Sequence, residues 1–175
     1  MSTTITLAEL NALPAEQFVS LLGGIFEHSP WVAEQVAAAR PFQDIDSLHQ
    51  AMVERIAAAG PEARRALIRA HPELAGKAAI RGELTPESTS EQQGAGLDRC
   101  TPEEYSTLTA LNQAYREKFG FPFILAVRGH DRQSVIREFR RRLALSPPEE
   151  TAECLEQIYK IGRFRLDDLV RKPSV

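Results

Sequence analysis

The sequence predicts an all-α fold. The hydrophobic period is helical in nearly every apolar stretch, and capping residues, prolines and glycines fall where helices start and stop. No strands alternate with these helices as a parallel sheet would require. At 175 residues a compact chain buries roughly two-thirds of its extended surface, so one core suffices. Residues 1–175 therefore read as a single-domain helical bundle, with one short extended apolar segment near residues 121–127.

Phe18, Leu21, Leu22, Ile25 and Phe26 follow the stripe of an amphipathic helix entered at Pro14. Ser29-Pro30 reads as an N-cap and N1 proline for a helix carrying Trp31, Val32 and Val36. Ser47 with Gln50 predicts a capping box for a helix bearing Leu48, Met52 and Ile56, which Gly60-Pro61 ends. A helix over Glu62 to Ala70 stops at His71-Pro72, because the residue before proline disfavours the helical region.

Thr101-Pro102-Glu103-Glu104 opens a long helix with Tyr105, Leu108, Leu111, Tyr115 and Phe119 on its inner face, and Gly120 suits its end. Arg132 to Leu143 forms another helix, and Ser146-Pro147 starts a last one towards Val170. Between them, Phe121-Pro122-Phe123-Ile124-Leu125-Ala126-Val127 is continuously apolar, short and broken by proline, so it predicts a buried extended stretch or a lone strand. Arg137, Arg140, Arg141 and Arg142 around Glu138 read as a solvated helix face. Tyr105 and Tyr115 read as core, His28 as packed beside Ser29-Pro30, and His49 and His130 as exposed.

The composition, 43% hydrophobic and 26% charged, is that of a globular protein. A net charge of −3 gives no basic footprint for phosphate backbones, so no nucleic-acid partner is expected. No apolar run reaches the roughly 20 residues of a membrane span, and no signal-peptide core is seen. Lys172-Pro173-Ser174-Val175 is not a peroxisomal address. Cys100 and Cys154 are far apart and suit a reducing compartment, so a cytoplasmic location is expected.

The stretch from Ala70 to Leu97 is unusual for a plain bundle. It gathers His71, Glu73, Lys77, Glu83, Glu87, Ser88, Glu91 and Gln92 among glycines and prolines, and irregular backbone is where chemistry tends to sit. Structural readings stand beside the functional ones. His71 could simply end a helix near its negative dipole end, and Ser88 with Glu91 fits an S-x-x-E capping box. His71 and Glu91 have no ligand-type partner at i+3 or i+4 and no HExxH is present, so no metal is expected. There is no GxSxG elbow either. A His–Glu acid/base pair is what remains.

The chain resembles the 2-oxo-4-hydroxy-4-carboxy-5-ureidoimidazoline (OHCU) decarboxylases. The resemblance rests on GGIFEHSPW (23–31), RPF (40–42), HPELAGKAA (71–79), Ser88 with Glu91-Gln92, AGLD (95–98), LNQAYREKFGFPFILAVRG (111–129) and IGRFRLDDLV (161–170). It implies a helical, homodimeric, cofactor-free carboxy-lyase that turns OHCU into (S)-allantoin in urate and purine degradation. His71 would be the general acid/base, assisted by Glu91. Pro72, Ser88, Gln92, the segment Phe123, Ile124, Leu125, Ala126 and Val127, and Arg165 would bind the small-molecule substrate.

This chemistry suits the residues. The substrate's own C=N bond takes up the electrons left by CO2, and a histidine of ordinary pKa, about 6.5, moves protons near neutrality. Two rival readings remain: a non-catalytic helical module binding a purine-derived ligand, and a lyase or hydrolase of a related ureido compound.

Overall fold

The computed structural model describes residues 4–171, and the C-terminal tetrapeptide 172–175 lies outside them. Among the described residues ten α-helices carry the fold, and the chain folds as two compact units. The first holds residues 4–70 and 159–171, and the second holds residues 71–158. Among the described residues no helix is long and apolar enough to cross a membrane.

The first unit begins with β1 (Ile5–Thr6), which pairs in parallel with β2 (Val170–Arg171) in the register Ile5 to Val170. This two-residue pairing is the only sheet among the described residues of a protein otherwise built of helices. Helix α1 (Leu7–Ala12) was not legible in the hydrophobic period, being under two turns long. Helix α2 (Ala15–Leu22) buries Phe18 and Leu22 but stops there. Ile25 and Phe26 are buried on irregular chain, so the helical stripe runs past the helix itself.

Helix α3 (Trp31–Val36) is not capped by Ser29. The Ser29 hydroxyl instead donates to the Glu27 carbonyl at 2.9 Å, and Pro30 occupies the cap position. Helix α4 (Ile45–Ala58) starts two residues before Ser47. A carboxylate accepts better than a hydroxyl, and Asp44 Oδ1 takes both the Ser47 N–H and the Ser47 hydroxyl at 2.7 Å. Helix α5 (Pro61–Arg69) follows Gly60, as expected. Leu48, Met52, Ile56, Leu67 and Ile68 complete this core. Arg40 serves it structurally, donating to Leu13 O at 2.6 Å and Ala37 O at 2.8 Å. His28 is exposed, and His49 is half-buried with its Nε2 2.8 Å from Tyr159 O.

The second unit holds α6 (Lys77–Ile80), α7 (Pro86–Gly94), α8 (Pro102–Phe119), α9 (Arg132–Leu143) and the first part of α10 (Pro147–Leu169). The Thr101–Glu104 capping box forms in full, with Glu104 N–H on Thr101 Oγ1 at 3.1 Å and Thr101 N–H on Glu104 Oε1 at 2.9 Å. Gly120 closes α8 with φ 78°, a conformation that favours glycine. Tyr115 is buried among Phe119, Phe121, Phe123 and Phe139, with Phe123 and Phe139 stacked at 3.8 Å between centroids. Tyr105 is not core: it is 39% exposed. Residues 121–127 form no helix or strand, and every one except half-buried Pro122 is buried. His130 is half-buried, its Nδ1 2.9 Å from Ser134 Oγ.

One expectation fails clearly. Arg142 is not on a solvated face but fully buried, as is Glu150, with Arg142 Nε 2.7 Å from Glu150 Oε1. The helical period accounts for it. Val135, Phe139 and Arg142 stand at i, i+4 and i+7, so the arginine occupies a core position of α9.

Candidate active site

His71 is the first residue of the second unit and follows the C-cap of α5. It is 7% exposed and stands at the head of an irregular loop, residues 71–76. Pro72 is half-buried beside it. Two residues of the second unit pin this loop through its main chain. Gln92 Oε1 accepts the Ala75 N–H at 3.0 Å while its Nε2 donates to Glu73 O at 3.3 Å, and Asn112 Nδ2 donates to Leu74 O at 2.9 Å. The grip matches the backbone's difficulty. Ala75 sits at φ 53°, rare for a residue with a Cβ, and must be held there by its surroundings. Gly76 follows because a Cβ would lie 2.8 Å from Glu73 Cβ.

Ser88, Glu91 and Gln92 fall at i, i+3 and i+4 on one face of α7. The capping reading of Ser88 and Glu91 is overturned. The N-cap is Thr85, whose Oγ1 accepts the Ser88 N–H at 3.2 Å, so both residues lie inside the helix. Ser88 and Gln92 are buried and Glu91 is half-buried. A helix-interior serine, glutamate and glutamine facing inwards have no capping duty to explain them.

The apolar segment is held from the other side of its own chain. Arg142 Nη1 donates to Ile124 O in a short hydrogen bond, and Gln157 Oε1 accepts the Ala126 N–H at 2.9 Å. Val127 O accepts the His130 N–H at 2.9 Å. Between the gripped groups, no described residue bonds the N–H or C=O of Leu125. Arg142 is itself held by all three of its nitrogens: Nε meets both Glu150 oxygens at 2.7 and 3.2 Å, Nη2 lies 3.3 Å from Cys154 Sγ, and the guanidinium sits 4.5 Å from the Phe123 ring centroid. Burial pushes the Glu150 carboxyl up against the pull of Arg142, and pushes the Cys154 thiol up to about 11. The Tyr115 hydroxyl lies 3.2 Å from that sulfur.

Arg165 lies in the first unit. It is 5% exposed, and its Nη1 donates to Glu27 Oε2 at 2.9 Å and Gly24 O at 3.1 Å. The buried Glu27 explains how a guanidinium stands at an apolar position of α10.

The structure thus brings Gln92 directly onto the His71 loop and places Ser88 and Glu91 on the same helix. It holds Phe123–Val127 by α9 and α10, and gives Arg165 a carboxylate partner. Asn112, Arg142, Glu150 and Gln157 were not among the site residues expected from the sequence. Each is a polar residue at an apolar-stripe spacing, as with Leu108, Asn112 and Tyr115 or Cys154, Gln157 and Ile158, and that spacing is the signal that finds them.

A cleft of about 460 Å³ in the second unit is lined by Ala75, Leu84, Gln92, Leu97, Cys100 and Tyr105 among others. Neither His71 nor Glu91 lines it, so proton-transfer chemistry is not assigned to it. Among the described residues no group of three or more His, Cys, Asp or Glu side chains converges as a metal ligand set.

A model of the OHCU decarboxylase family matches residues 11–167. The chain is 41% identical over 166 residues to the uric acid degradation bifunctional protein of Bacillus sp. (strain TB-90), covering 95% of this chain and 32% of that one. It is 39% identical over 167 residues to the 2-oxo-4-hydroxy-4-carboxy-5-ureidoimidazoline decarboxylase of Halalkalicoccus jeotgali, covering 95% and 93% respectively. The chain therefore spans about a third of the first relative and almost all of the second. Among solved structures, an (S)-allantoin synthase superposes with a TM-score of 0.76 at 30% identity, over 94% of this chain and 54% of that one.

Proposed function

The chain belongs to the OHCU decarboxylase family, and from that premise we propose that it removes CO2 from OHCU to yield (S)-allantoin in urate breakdown. The observation that carries the reading is the buried imidazole of His71 on a loop whose main chain Gln92 and Asn112 fix. A solvated helix end would need neither the burial nor the grip. The family match runs through both units, which supports treating residues 1–175 as one functional domain.

The reaction breaks the bond between the carboxylate and the hydroxylated ring carbon. Its electron pair becomes a C=C bond to the neighbouring carbon, while the C=N pair of that carbon takes a proton on nitrogen. The hydroxyl then gives up its proton as C=O forms, and the C=C pair takes a proton on one face of the carbon bearing the ureido group. That last proton sets the handedness. His71 receives the hydroxyl proton and supplies one in return, Glu91 orients it or shares the proton, and the one net proton that takes the place of CO2 comes from solvent. Pro72, Ser88 and Gln92 line the ring, Phe123–Val127 offers main-chain groups, and Arg165 presents a planar fork to an anionic or carbonyl end. The electron sink belongs to the substrate, so neither a metal nor an organic cofactor enters the scheme; full turnover after exhaustive chelation is the expected result.

We read the protein as a cytoplasmic homodimer, which light scattering and fractionation test. The function itself is tested with freshly generated urate-oxidation product. Rapid formation of optically pure (S)-allantoin is expected, and racemic product at the rate in buffer would sink the proposal in favour of a binding module.

A further inference from the structure

We infer that Arg142 and Gln157 are positioning residues for the reaction: they fix Ile124 and Ala126 so that the main-chain N–H and C=O of Leu125, between them, are presented to the substrate ring. The inference rests on the reading of Phe123–Val127 as a wall of the substrate site.

A trans peptide is planar, so an N–H points away from the C=O of the residue before it. Ile124 C=O goes to Arg142 on α9, so the Leu125 N–H in the same peptide points away from that guanidinium. Ala126 N–H goes to Gln157 on α10, so the Leu125 C=O in that peptide points away from the glutamine. No described residue bonds either Leu125 group, although Leu125 is only 5% exposed. A buried N–H and C=O with no protein partner are rare and call for a partner of another kind. An adjacent N–H donor and C=O acceptor match the alternating N–H and C=O edge of a cyclic urea or lactam, the chemical class of the proposed substrate and product.

Nothing local would otherwise hold this register. The segment has no helical hydrogen bonds and no strand partner, and its side chains are apolar. Arg142 suits the task because Glu150, Cys154 and the Phe123 ring immobilise its guanidinium, so the hold on Ile124 is rigid. Gln157 is 7% exposed and aligned by α10 two residues further along the segment. One register is thus clamped through the two peptide units that meet at Leu125.

The test uses the full-length enzyme carrying Gln157→Leu, a swap of similar volume that removes the acceptor, and Gln157→Glu, which keeps one. Circular dichroism confirms folding of each. Should Gln157→Leu not fold, Gln157→Asn, whose shorter amide cannot reach Ala126, is read in the same way. Amide exchange of residues 121–127 reports the hold, and KM, kcat and optical purity of allantoin report its use. In Gln157→Leu we expect faster exchange and KM raised about fivefold, the factor of one neutral hydrogen bond. Optical purity should fall and the kcat–pH profile should stay unmoved, with Gln157→Glu restoring exchange and KM together. Unchanged exchange in Gln157→Leu overturns the positioning role whatever the kinetics. Faster exchange with unchanged KM and optical purity overturns it by another route, since the segment is then held as described but does not meet the substrate.

Discussion

The two irregular stretches of the second unit, residues 71–76 and 121–127, are built alike and equipped differently. Each is gripped by one glutamine that accepts a main-chain N–H, Gln92 at Ala75 and Gln157 at Ala126. Each has a second side chain donating to a nearby carbonyl, Asn112 at Leu74 and Arg142 at Ile124. The first stretch carries His71, a side chain able to move a proton. The second carries only apolar side chains, and all it can offer a polar ligand is main chain. Rigid placement of irregular backbone is the common need, and the division of labour lies in what is placed: a titratable group in one, a shape and a peptide edge in the other. Damage to the first should therefore appear mainly in kcat, and damage to the second in stability and KM.

The largest effect should come from the clamp of the apolar stretch. Arg142→Met strands the fully buried Glu150 and should cost about 3–5 kcal/mol of stability, read by denaturant unfolding. Arg142→Met with Glu150→Gln removes both charges and should recover most of it. Equal instability of the single and double variants would show that the guanidinium acts through packing alone.

On the polar stretch, His71→Asn should fold normally and lose about 10²-fold or more in kcat. A folded variant with near-normal turnover and pure (S)-allantoin would end the comparison, since both stretches would then be scaffolding.

A smaller effect separates capping from chemistry on α7. Thr85→Ala removes the cap and should cost about 1 kcal/mol with little change in rate. Ser88→Ala leaves the cap intact, so its effect should fall mainly on the rate. The reverse pattern would return Ser88 to a structural role.

The smallest effect concerns acid. Hydrogen bonds from Ser47 hold the Asp44 carboxyl below its ordinary 3.8, and bonds from Thr101 and Ser146 hold Glu104 and Glu149 below 4.5. The main-chain N–H of Ser134 does the same for Asp131. Groups lowered in the folded state contribute stability above their ordinary values and lose it as pH falls through the lowered ones. Melting temperature should be flat above about pH 5 and decline below about pH 4, because these caps protonate there. A decline that begins near neutrality would point to another group.

Much of the architecture was legible from period and punctuation. Helices α5, α8, α9 and α10 lie within a residue or so of the expected spans, and the apolar run at 121–127 is buried non-helical chain. Starts decided by competing caps were not legible, because Asp44 and Ser47, or Thr85 and Ser88, each offer a capping oxygen three residues apart. For the site, His71 and the α7 face stood out as polar residues on punctuated chain. The main-chain clamps stayed hidden, because sequence shows which groups a side chain offers but not which peptide it will reach. Arg142 illustrates this. Within a run of arginines it reads as surface, and only its distance from Val135 and Phe139 marks it as interior.

The deep placement of Cys154 equips the protein with its own pair of spectrally independent sensors. A thiol pushed up to about 11 and fully buried is almost wholly protonated near neutrality and closed to alkylating reagents, whereas half-buried Cys100 is the accessible one. The second equivalent of reagent consumed therefore clocks the opening of residues 71–158. The sole tryptophan, Trp31, belongs to the other unit, and its emission reports on that unit. Recorded together on unlabelled enzyme, the two signals reveal whether the halves of this chain melt as one or in sequence.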